Sequence, residues 1–428
     1  MKIAVIGTGY VGLVTGVVLA DLGNDVICVD KDPEKIAMLS AGTPTIYEPG
    51  LEDLLKRAIA NGFLTFSESV VDATAKSRVV FIAVGTPSAA DGSPDLSAVE
   101  AVAKLIARGI DSYKVVVNKS TVPVGSGGFV SDIICSQGVG SDLFDVVSNP
   151  EFLREGSAIS DTLHPDRIVI GATNRAAAAI LQELYEPLQA PFILTDVASA
   201  ELIKYASNAF LATKISFINA MSRICELTGG DIGAVSTGVG ADARIGKHFL
   251  QAGLGWGGSC FPKDVSGLIK IAEGLGYDFD LLKAVTAINE DQTLHFVRRL
   301  EKKLGGLAGK TIGLLGLSFK PNTDDLRDAK SLVIIEAILK AGGSIRAHDP
   351  VAAELVQKIY PSVEMTGIYE VAEGADALVL VTEWNEYRQL DLARLGEKMK
   401  SRILFDGRRV YSSAAVKEAG FEYATIGS

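Results

Sequence analysis

Short apolar runs rich in β-branched residues, each followed by a turn and then by a helical stretch, set the rhythm of this chain. Lys2 to Ile6 is the first run, Gly7-Thr8-Gly9-Tyr10-Val11-Gly12 follows it, and a helical stretch continues through Leu22. A second run, Asp25 to Val29, ends on Asp30. Further runs at Val79 to Val84, Val115 to Lys119 and Asp145 to Ser148, with a helical stretch from Leu96 to Arg108, extend the alternation. Strands alternating with helices predict an open, doubly wound α/β sheet. From Ser199 to Thr228 the pattern turns wholly helical, without an interior glycine or proline, until Gly229-Gly230 stops it. At 1.5 Å per residue that helix spans about 45 Å, which suits a bridge between domains or a subunit interface. Beyond a glycine-rich linker at 305 to 309 the architecture restarts. Lys310 to Gly316 resembles the chain's own beginning, Ser344 to Asp349 ends on an acid as the second strand does, and runs at Ala377 to Thr382 and Arg402 to Phe405 follow. The expected fold is therefore α/β, with two Rossmann-like doubly wound domains, 1–196 and 305–428, joined by a long central helix and a small helical domain, 197–304.

The first strand, glycine turn, helix and second strand, with an acid at its end, are the context a dinucleotide fingerprint requires. Gly7 makes the tight turn, Gly9 lets the backbone approach a pyrophosphate, and Gly12 packs helix on strand. Asp30 suits a ribose 2′-hydroxyl and repels a 2′-phosphate, so NAD is expected over NADP. Lys35 has two readings, a solvated helix charge or a neighbour of the cofactor. Thr86, Ser120 and Thr121 follow strands, where ligands of open sheets bind, or else they cap the next helix. In the second domain the third glycine is absent and Phe319-Lys320-Pro321 fills the turn, so a ligand other than a dinucleotide is expected there. Lys320, Arg327 and Arg408 are its cationic candidates.

On the long helix Lys204 and Asn208 lie four apart, on a face that continues through Leu211 and Ile215. They are either site contacts or a snorkelling lysine with a polar neighbour. The stretch GWGGSCFPKD, 255 to 264, puts Cys260 behind paired glycines and before a proline suited to the first turn of a helix. A helix start favours thiolate, while the plain alternative is a small buried hydrophobe.

Composition narrows the field of ligands. Lys plus Arg total 41 against 52 Asp plus Glu, a net charge of -11, so nucleic acid and anionic membranes are not expected partners. The four cysteines, 28, 135, 225 and 260, show no CxxC spacing, and neither a metal site nor a disulfide framework is expected. The opening MKIAVIG runs straight into a strand and no apolar stretch reaches membrane-spanning length, which predicts a cytoplasmic protein.

Taken together, GTGYVG at 7 to 12, AVGTPS at 83 to 88, STVPVG at 120 to 125, NPEFLREG at 149 to 156, KYASNAF at 204 to 210, RIGKHF at 244 to 249, GWGGSCFPKD, and FKPNTDDLR at 319 to 327 make the chain resemble the UDP-glucose 6-dehydrogenases over nearly its full length. The resemblance implies NAD-dependent four-electron oxidation of UDP-glucose to UDP-glucuronate, with Cys260 as nucleophile and Lys204, Asn208, Asp264, Glu151 and Thr121 in the chemistry. It implies cofactor contacts from Gly7, Gly9, Tyr10, Val11, Gly12, Asp30, Lys35, Thr86, Ser120, Thr121, Glu155, Lys263 and Arg327. For the nucleotide sugar it implies Glu151, Phe152, Leu153, Arg154, Glu155, Lys204, Asn208, Phe249, Leu250, Gln251, Gly253, Gly257, Lys320 and Arg408. Gln251 stands where the family has a lysine. Arg244 matches an arginine that reaches the neighbouring subunit's sugar nucleotide, so a homodimer is implied. The glycines before Cys260 are expected to let the sugar pass close to the backbone. The same chemistry on GDP-mannose, UDP-galactose or a UDP-N-acetyl sugar, a two-electron β-hydroxyacid dehydrogenase, and a non-catalytic sensor are the rival readings. The first rival keeps Cys260; the other two have no need of it.

Overall fold

The computed structural model describes residues 1–89 and 91–428, which divide into two compact units. One comprises 1–207 with 266–275, the other 208–265 with 276–428.

The first unit is built on eight strands: β1 (Lys2–Ile6), β2 (Asp25–Val29), β3 (Leu64–Ser67), β4 (Val79–Ile82), β5 (Lys114–Asn118), β6 (Phe144–Ser148), β7 (Ile168–Gly171) and β8 (Phe192–Thr195). Their order is β3-β2-β1-β4-β5-β6-β7-β8, parallel except where β7 meets β6 antiparallel. Alternate residues of β1 serve opposite cores: Ile3 and Val5 pack on one face, Ala4 and Ile6 on the other. Burial on both faces explains why these strands read as unbroken apolar runs. At roughly 1.5–3 kcal/mol per fully buried aliphatic side chain, these strands and the helices packed on them together stabilise the unit.

The second sheet holds β9 (Thr311–Leu315), β10 (Ser344–His348), β11 (Glu364–Met365), β12 (Ala377–Leu380), β13 (Ile403–Asp406) and β14 (Glu422–Thr425). Its order, β11-β10-β9-β12-β13-β14, is parallel throughout and reproduces the doubly wound plan expected of the restarted pattern.

The long helix runs Val197–Thr228. Asp196 accepts from the Ser199 backbone N–H (2.8 Å) at its start, and Gly229, at φ +78°, ends it. Its buried face differs from the expected one. Leu211 and Ile215 are only half-buried, and the buried positions after Asn208 include Ser216, Asn219 and Ser222. Most of their polar atoms are bonded: Ser216 Oγ donates to the Val285 carbonyl (2.8 Å), and Asn219 Oδ1 accepts from the Gly253 N–H (2.8 Å), while Asn219 Nδ2 has no partner among the described residues. Among the described residues no helix is long and apolar enough to cross a membrane.

Candidate active site

In the first unit the glycine turn has the shape its spacing requires. Gly7 sits at φ +101°, and a Cβ there would lie 2.7 Å from the Ala83 carbonyl oxygen. A Cβ on Gly12 would collide with the Gly7 carbonyl, whereas one on Gly9 would meet nothing, so the backbone is open at Gly9 alone of the three. Asp30 closes the turn by accepting from the Thr8 N–H (3.0 Å) and Thr8 Oγ1 (2.6 Å). Burial raises the Asp30 carboxyl, but these bonds, one from the Asp32 N–H, and nearby Lys35 outweigh it and hold the group below the usual carboxylate range. Asp30 thus stays anionic at neutral pH, and Lys35 contributes to that charge state.

Tyr10 and Val11 open the helix Tyr10–Asp21. The Tyr10 hydroxyl bonds Glu48 and accepts from the Gly156 N–H (2.9 Å), tying the glycine turn to the segment at 149–156. Glu48 is a buried anchor that sequence reasoning missed; it also accepts from the Ala158 N–H (2.7 Å). The hydroxyls after β4 and β5 do not cap helices. Thr86 Oγ1 donates to the Thr121 carbonyl (2.8 Å) and Ser120 Oγ to the Val84 carbonyl (2.7 Å), so they lace the two strand ends together and leave half-buried Thr121 in the joined loop.

The segment at 149–156 is not a plain solvated loop. Glu151 and Glu155 are each 7% exposed. Glu151 accepts from Lys204 Nζ (2.8 Å) and from the Leu153 N–H (2.9 Å). The ring of Phe152 takes the Arg167 guanidinium at 3.9 Å and Lys204 Nζ at 5.5 Å. Leu153 is half-buried, and Arg154 points to solvent, paired with Asp161 at 2.7 Å. Lys204 is therefore a buried ammonium with a carboxylate partner, not a snorkelling one. A second ammonium stands beside this pair. Lys119 Nζ donates to Asn149 Oδ1 (3.0 Å), which also accepts from the Tyr185 hydroxyl (2.7 Å). Desolvation pushes Lys119 down to about 8, against the pull of Glu151 and with the help of Lys204. Its position at the end of an apolar strand, just before Ser120-Thr121, was the only signal in the sequence.

In the second unit Cys260 is half-buried and directly precedes the helix Phe261–Gly274, its carbonyl accepting from the Asp264 N–H (2.8 Å). Its Sγ lies 3.5 Å from Ser259 Oγ. Asp264 is fully buried; one oxygen accepts from Asn208 Nδ2 (2.6 Å) and the other from Lys263 Nζ (2.7 Å). The first turn of the Cys260 helix and the long helix are thereby joined through one carboxylate.

The loop before Cys260 is pinned rather than open. Asn289 brackets Trp256, accepting from its N–H (2.7 Å) and donating to its carbonyl (3.0 Å). A Cβ on Gly257 would strike the Asp328 carbonyl, and one on Gly258, at φ +82°, would lie 2.6 Å from the Phe319 ring. These two glycines are thus required by the protein's own packing, whatever passes beside them. Gly253 is different, because a Cβ there would meet the Arg408 guanidinium at 3.2 Å. Of its neighbours, Leu250 is buried, Phe249 adopts φ +63°, and Gln251 is exposed.

Among the cations, Arg408 and Lys320 flank Phe319. Arg408 donates to the Val381 carbonyl (2.8 Å) and to that of Phe319 (3.4 Å), while Lys320 Nζ stands 5.3 Å from the Phe319 ring. Arg327 pairs with Asp325 at 2.8 Å, and its backbone carbonyl accepts from the Gly258 N–H (2.8 Å). Arg244 extends into solvent beside Asp242. Asp349, which holds the place in the second sheet that Asp30 holds in the first, is buried and accepts from the Leu317 N–H (2.7 Å) and Trp384 Nε1 (3.1 Å). Trp384 thus occupies a carboxylate that its counterpart leaves half-exposed.

Three family descriptions match the chain in order: UDP-glucose/GDP-mannose dehydrogenase family, NAD binding domain, over 1–189; the family's central domain, over 198–291; and its UDP binding domain, over 313–413. UDP-glucose 6-dehydrogenase TuaD of Bacillus subtilis (strain 168) is 48% identical over 428 residues, all of this chain and 93% of that protein. The structure of a UDP-glucose dehydrogenase from the hyperthermophilic archaeon Pyrobaculum islandicum superposes with a TM-score of 0.92 at 42% identity, covering 99% of this chain and 97% of that one. A UDP-D-ManNAc dehydrogenase from Pyrococcus horikoshii superposes with a TM-score of 0.89 at 28% identity, covering 100% and 99%.

Proposed function

The chain belongs to the UDP-glucose/GDP-mannose dehydrogenase family, and from that premise we propose that it oxidises UDP-glucose to UDP-glucuronate through a covalent adduct on Cys260. It is an NAD-dependent dehydrogenase. The residues of the first unit fit that cofactor: the backbone is open at Gly9 and Asp30 is held anionic. NAD, two molecules per sugar, supplies the acceptor for both hydrides.

The chain's own groups account for the rest. The C6 alcohol loses a proton and a hydride to become an aldehyde. The Cys260 thiolate adds to that carbon, forming a C–S bond and an alkoxide, and so keeps the half-oxidised sugar on the enzyme. Lys204 and Asn208, one turn apart on the same helix, stabilise the developing oxyanion, an effect of about 3 kcal/mol per preorganised donor. Loss of the second hydride leaves a thioester. Water then attacks, the C–S bond breaks, and carboxylate and thiolate separate. Glu151 and Asp264 relay protons or hold water, and Thr121 takes part in the same chemistry. Phe152 to Glu155, Lys320, Arg408 and Gly253 bind the nucleotide sugar.

The observation that carries this reading is the buried Asn208–Asp264 pair, with half-buried Lys263 beside it, on the first turn of the helix that Cys260 begins. A two-electron dehydrogenase has no use for a cysteine so placed. UDP-glucose is preferred as the sugar because identity is higher to the UDP-glucose enzymes, 48% and 42%, than to the UDP-D-ManNAc enzyme, 28%. The test is the number of NADH formed per UDP-glucose consumed. Two, with UDP-glucuronate as product, is expected; one, with release of free aldehyde, overturns the mechanism. Cys260→Ser is expected to abolish acid formation while keeping NAD affinity. UDP-galactose, GDP-mannose and UDP-N-acetyl sugars assayed in parallel decide the substrate.

The working assembly proposed is a homodimer. Phe210, Phe217 and Ile224 recur every seven residues along the long helix and are 66%, 52% and 49% exposed, with Leu227 at 88%. A stripe at that spacing is the seam of a helix pair. A second copy is its occupant in this reading, with Arg244 directed to the neighbour's sugar nucleotide.

A further inference from the structure

Glu201 is 3% exposed and stands one helical turn before Lys204. Neither the sequence motifs nor the mechanism above uses it. Its Oε2 accepts from the Gly125 N–H (2.7 Å), and its Oε1 accepts from the Gly127 N–H (2.9 Å) and from Ser148 Oγ (3.1 Å). Gly125 and Gly127 begin the helix Ser126–Ser136, and a Cβ on Gly127 would lie 2.5 Å from Val197 Cγ1, so the two helices meet without space between them. The same carboxylate lines a small pocket with Asn118, Ser120, Val122, Ser148 and Pro150, which are the residues at the ends of β5 and β6. Three segments therefore converge on one side chain. The loop after β5 carries Thr121, the end of β6 leads in three residues to Glu151, and the long helix carries Lys204.

We propose that Glu201 is a positioning residue for the dehydrogenase reaction, its carboxylate fixing the Thr121 loop and the Glu151 segment against the helical turn that presents Lys204. The physical case is one of donor and acceptor count. Two backbone N–H groups and a hydroxyl all donate into Glu201, and a carboxylate has acceptor capacity on both oxygens. An amide of the same shape accepts on one oxygen only and puts an NH₂ against the remaining donors. Burial raises the Glu201 carboxyl, and the three donors and the helix N-terminus work against that rise in favour of the charged form, so the contact combines hydrogen bonding with the helix dipole. A loosened Glu201 displaces Thr121 and Glu151 relative to Lys204 by fractions of an ångström to an ångström, and misplacements of that size cost up to about 100-fold in rate.

The inference rests on the reading that Thr121, Glu151 and Lys204 serve the chemistry, and the test separates the two. The wild-type protein is first assayed to establish which nucleotide sugar it oxidises and with what stoichiometry; that result alone decides the substrate reading. Glu201→Gln and Ser148→Ala are then measured with that sugar, with kcat expressed per NAD-binding site counted by fluorescence titration. Glu201→Gln is expected to lower kcat per site by about 30- to 100-fold, and Ser148→Ala, which removes one of the three bonds, by about threefold to tenfold. KM for NAD is expected to stay within about threefold in both. A purely structural role lowers the number of NAD-binding sites and leaves kcat per site unchanged, and that outcome overturns the proposal. So does a loss in Glu201→Gln that appears in KM for NAD instead of kcat. Should Glu201→Gln fail to fold, an unchanged kcat per site in Ser148→Ala overturns it equally.

Discussion

Asp264→Asn isolates the carboxylate at the first turn of the Cys260 helix while keeping its shape. Asp264 is fully buried and each oxygen has one donor, Asn208 Nδ2 at 2.6 Å and Lys263 Nζ at 2.7 Å. An amide satisfies only one of them. Lys263 keeps 22% of its side chain exposed and can turn to water, whereas Asn208, 7% exposed, cannot. The new amide oxygen therefore faces Asn208, and the bond lost is the charged one to Lys263. Hydrogen bonds to charged groups contribute about 1.5–3 kcal/mol when buried, so with Lys263 rehydrated the fold loses about 1–2 kcal/mol. The catalytic loss is larger. Asn208 is oriented by an anion in the wild-type protein and by a neutral dipole in the variant, and weakening one oxyanion donor of this kind costs about 10²–10³ in kcat. The assay is steady-state NADH formation at saturating NAD and sugar, with denaturant unfolding on the same preparations. A kcat within about threefold of wild type, with the stability loss present, would falsify the assignment of Asp264 to the chemistry.

Three other outcomes follow from the same geometry. Desolvation lowers Lys119 to about 8 from an ordinary value near 10.4, so its charged form is penalised in the folded state and fold stability rises as pH climbs from about 8 to about 10.4. Lys119→Met is expected to lack that rise in denaturation midpoint, and parallel pH curves for variant and wild type would show the lysine to be unperturbed. Gly258→Ala places a Cβ 2.6 Å from the Phe319 ring at φ +82°, at a cost of about 2–4 kcal/mol. UDP binding by calorimetry should weaken at least tenfold while NAD binding holds, and equal losses of both would contradict a local effect. Phe217→Asp puts a charge in the exposed seven-residue stripe; light scattering should report a monomer, and an intact dimer would move the interface off this helix.

The parts legible in the sequence were those set by local pattern. β1, β2 and the glycine turn were read to the residue, because a buried parallel strand and its turn announce themselves within a dozen positions. β4 and β5 ended earlier than their apolar runs suggested, since Ala83-Val84 and Lys119 already belong to the loops that Thr86 and Ser120 tie together. The strands that escaped, β3, β7, β8, β11 and β14, are four residues long or, in β11, two, and carry mixed burial or lie toward sheet edges. In β8, Ile193 and Leu194 are 41% and 51% exposed, so no buried periodicity marks it. At the site, residue types were legible and partners were not. Asp264 and Asn208 stand 56 positions apart, and nothing local indicates that one carboxylate joins them. Lys119 and Glu48 act through burial and contacts that only the folded chain creates.

The interlock of Gly257 and Gly258 with Asp328 and Phe319 bears on how this enzyme's substrate range can change. The stretch leading to Cys260 and the stretch carrying Lys320 behave as one mechanical part, although they are encoded far apart. Substitutions in either stretch alone are caught by steric veto from the other, so effects in the two are expected to be strongly epistatic. Laboratory evolution toward a different sugar should therefore randomise 253–258 jointly with 319–328. Single-segment libraries would mostly sample broken hinges of that part and would understate how adaptable the protein is.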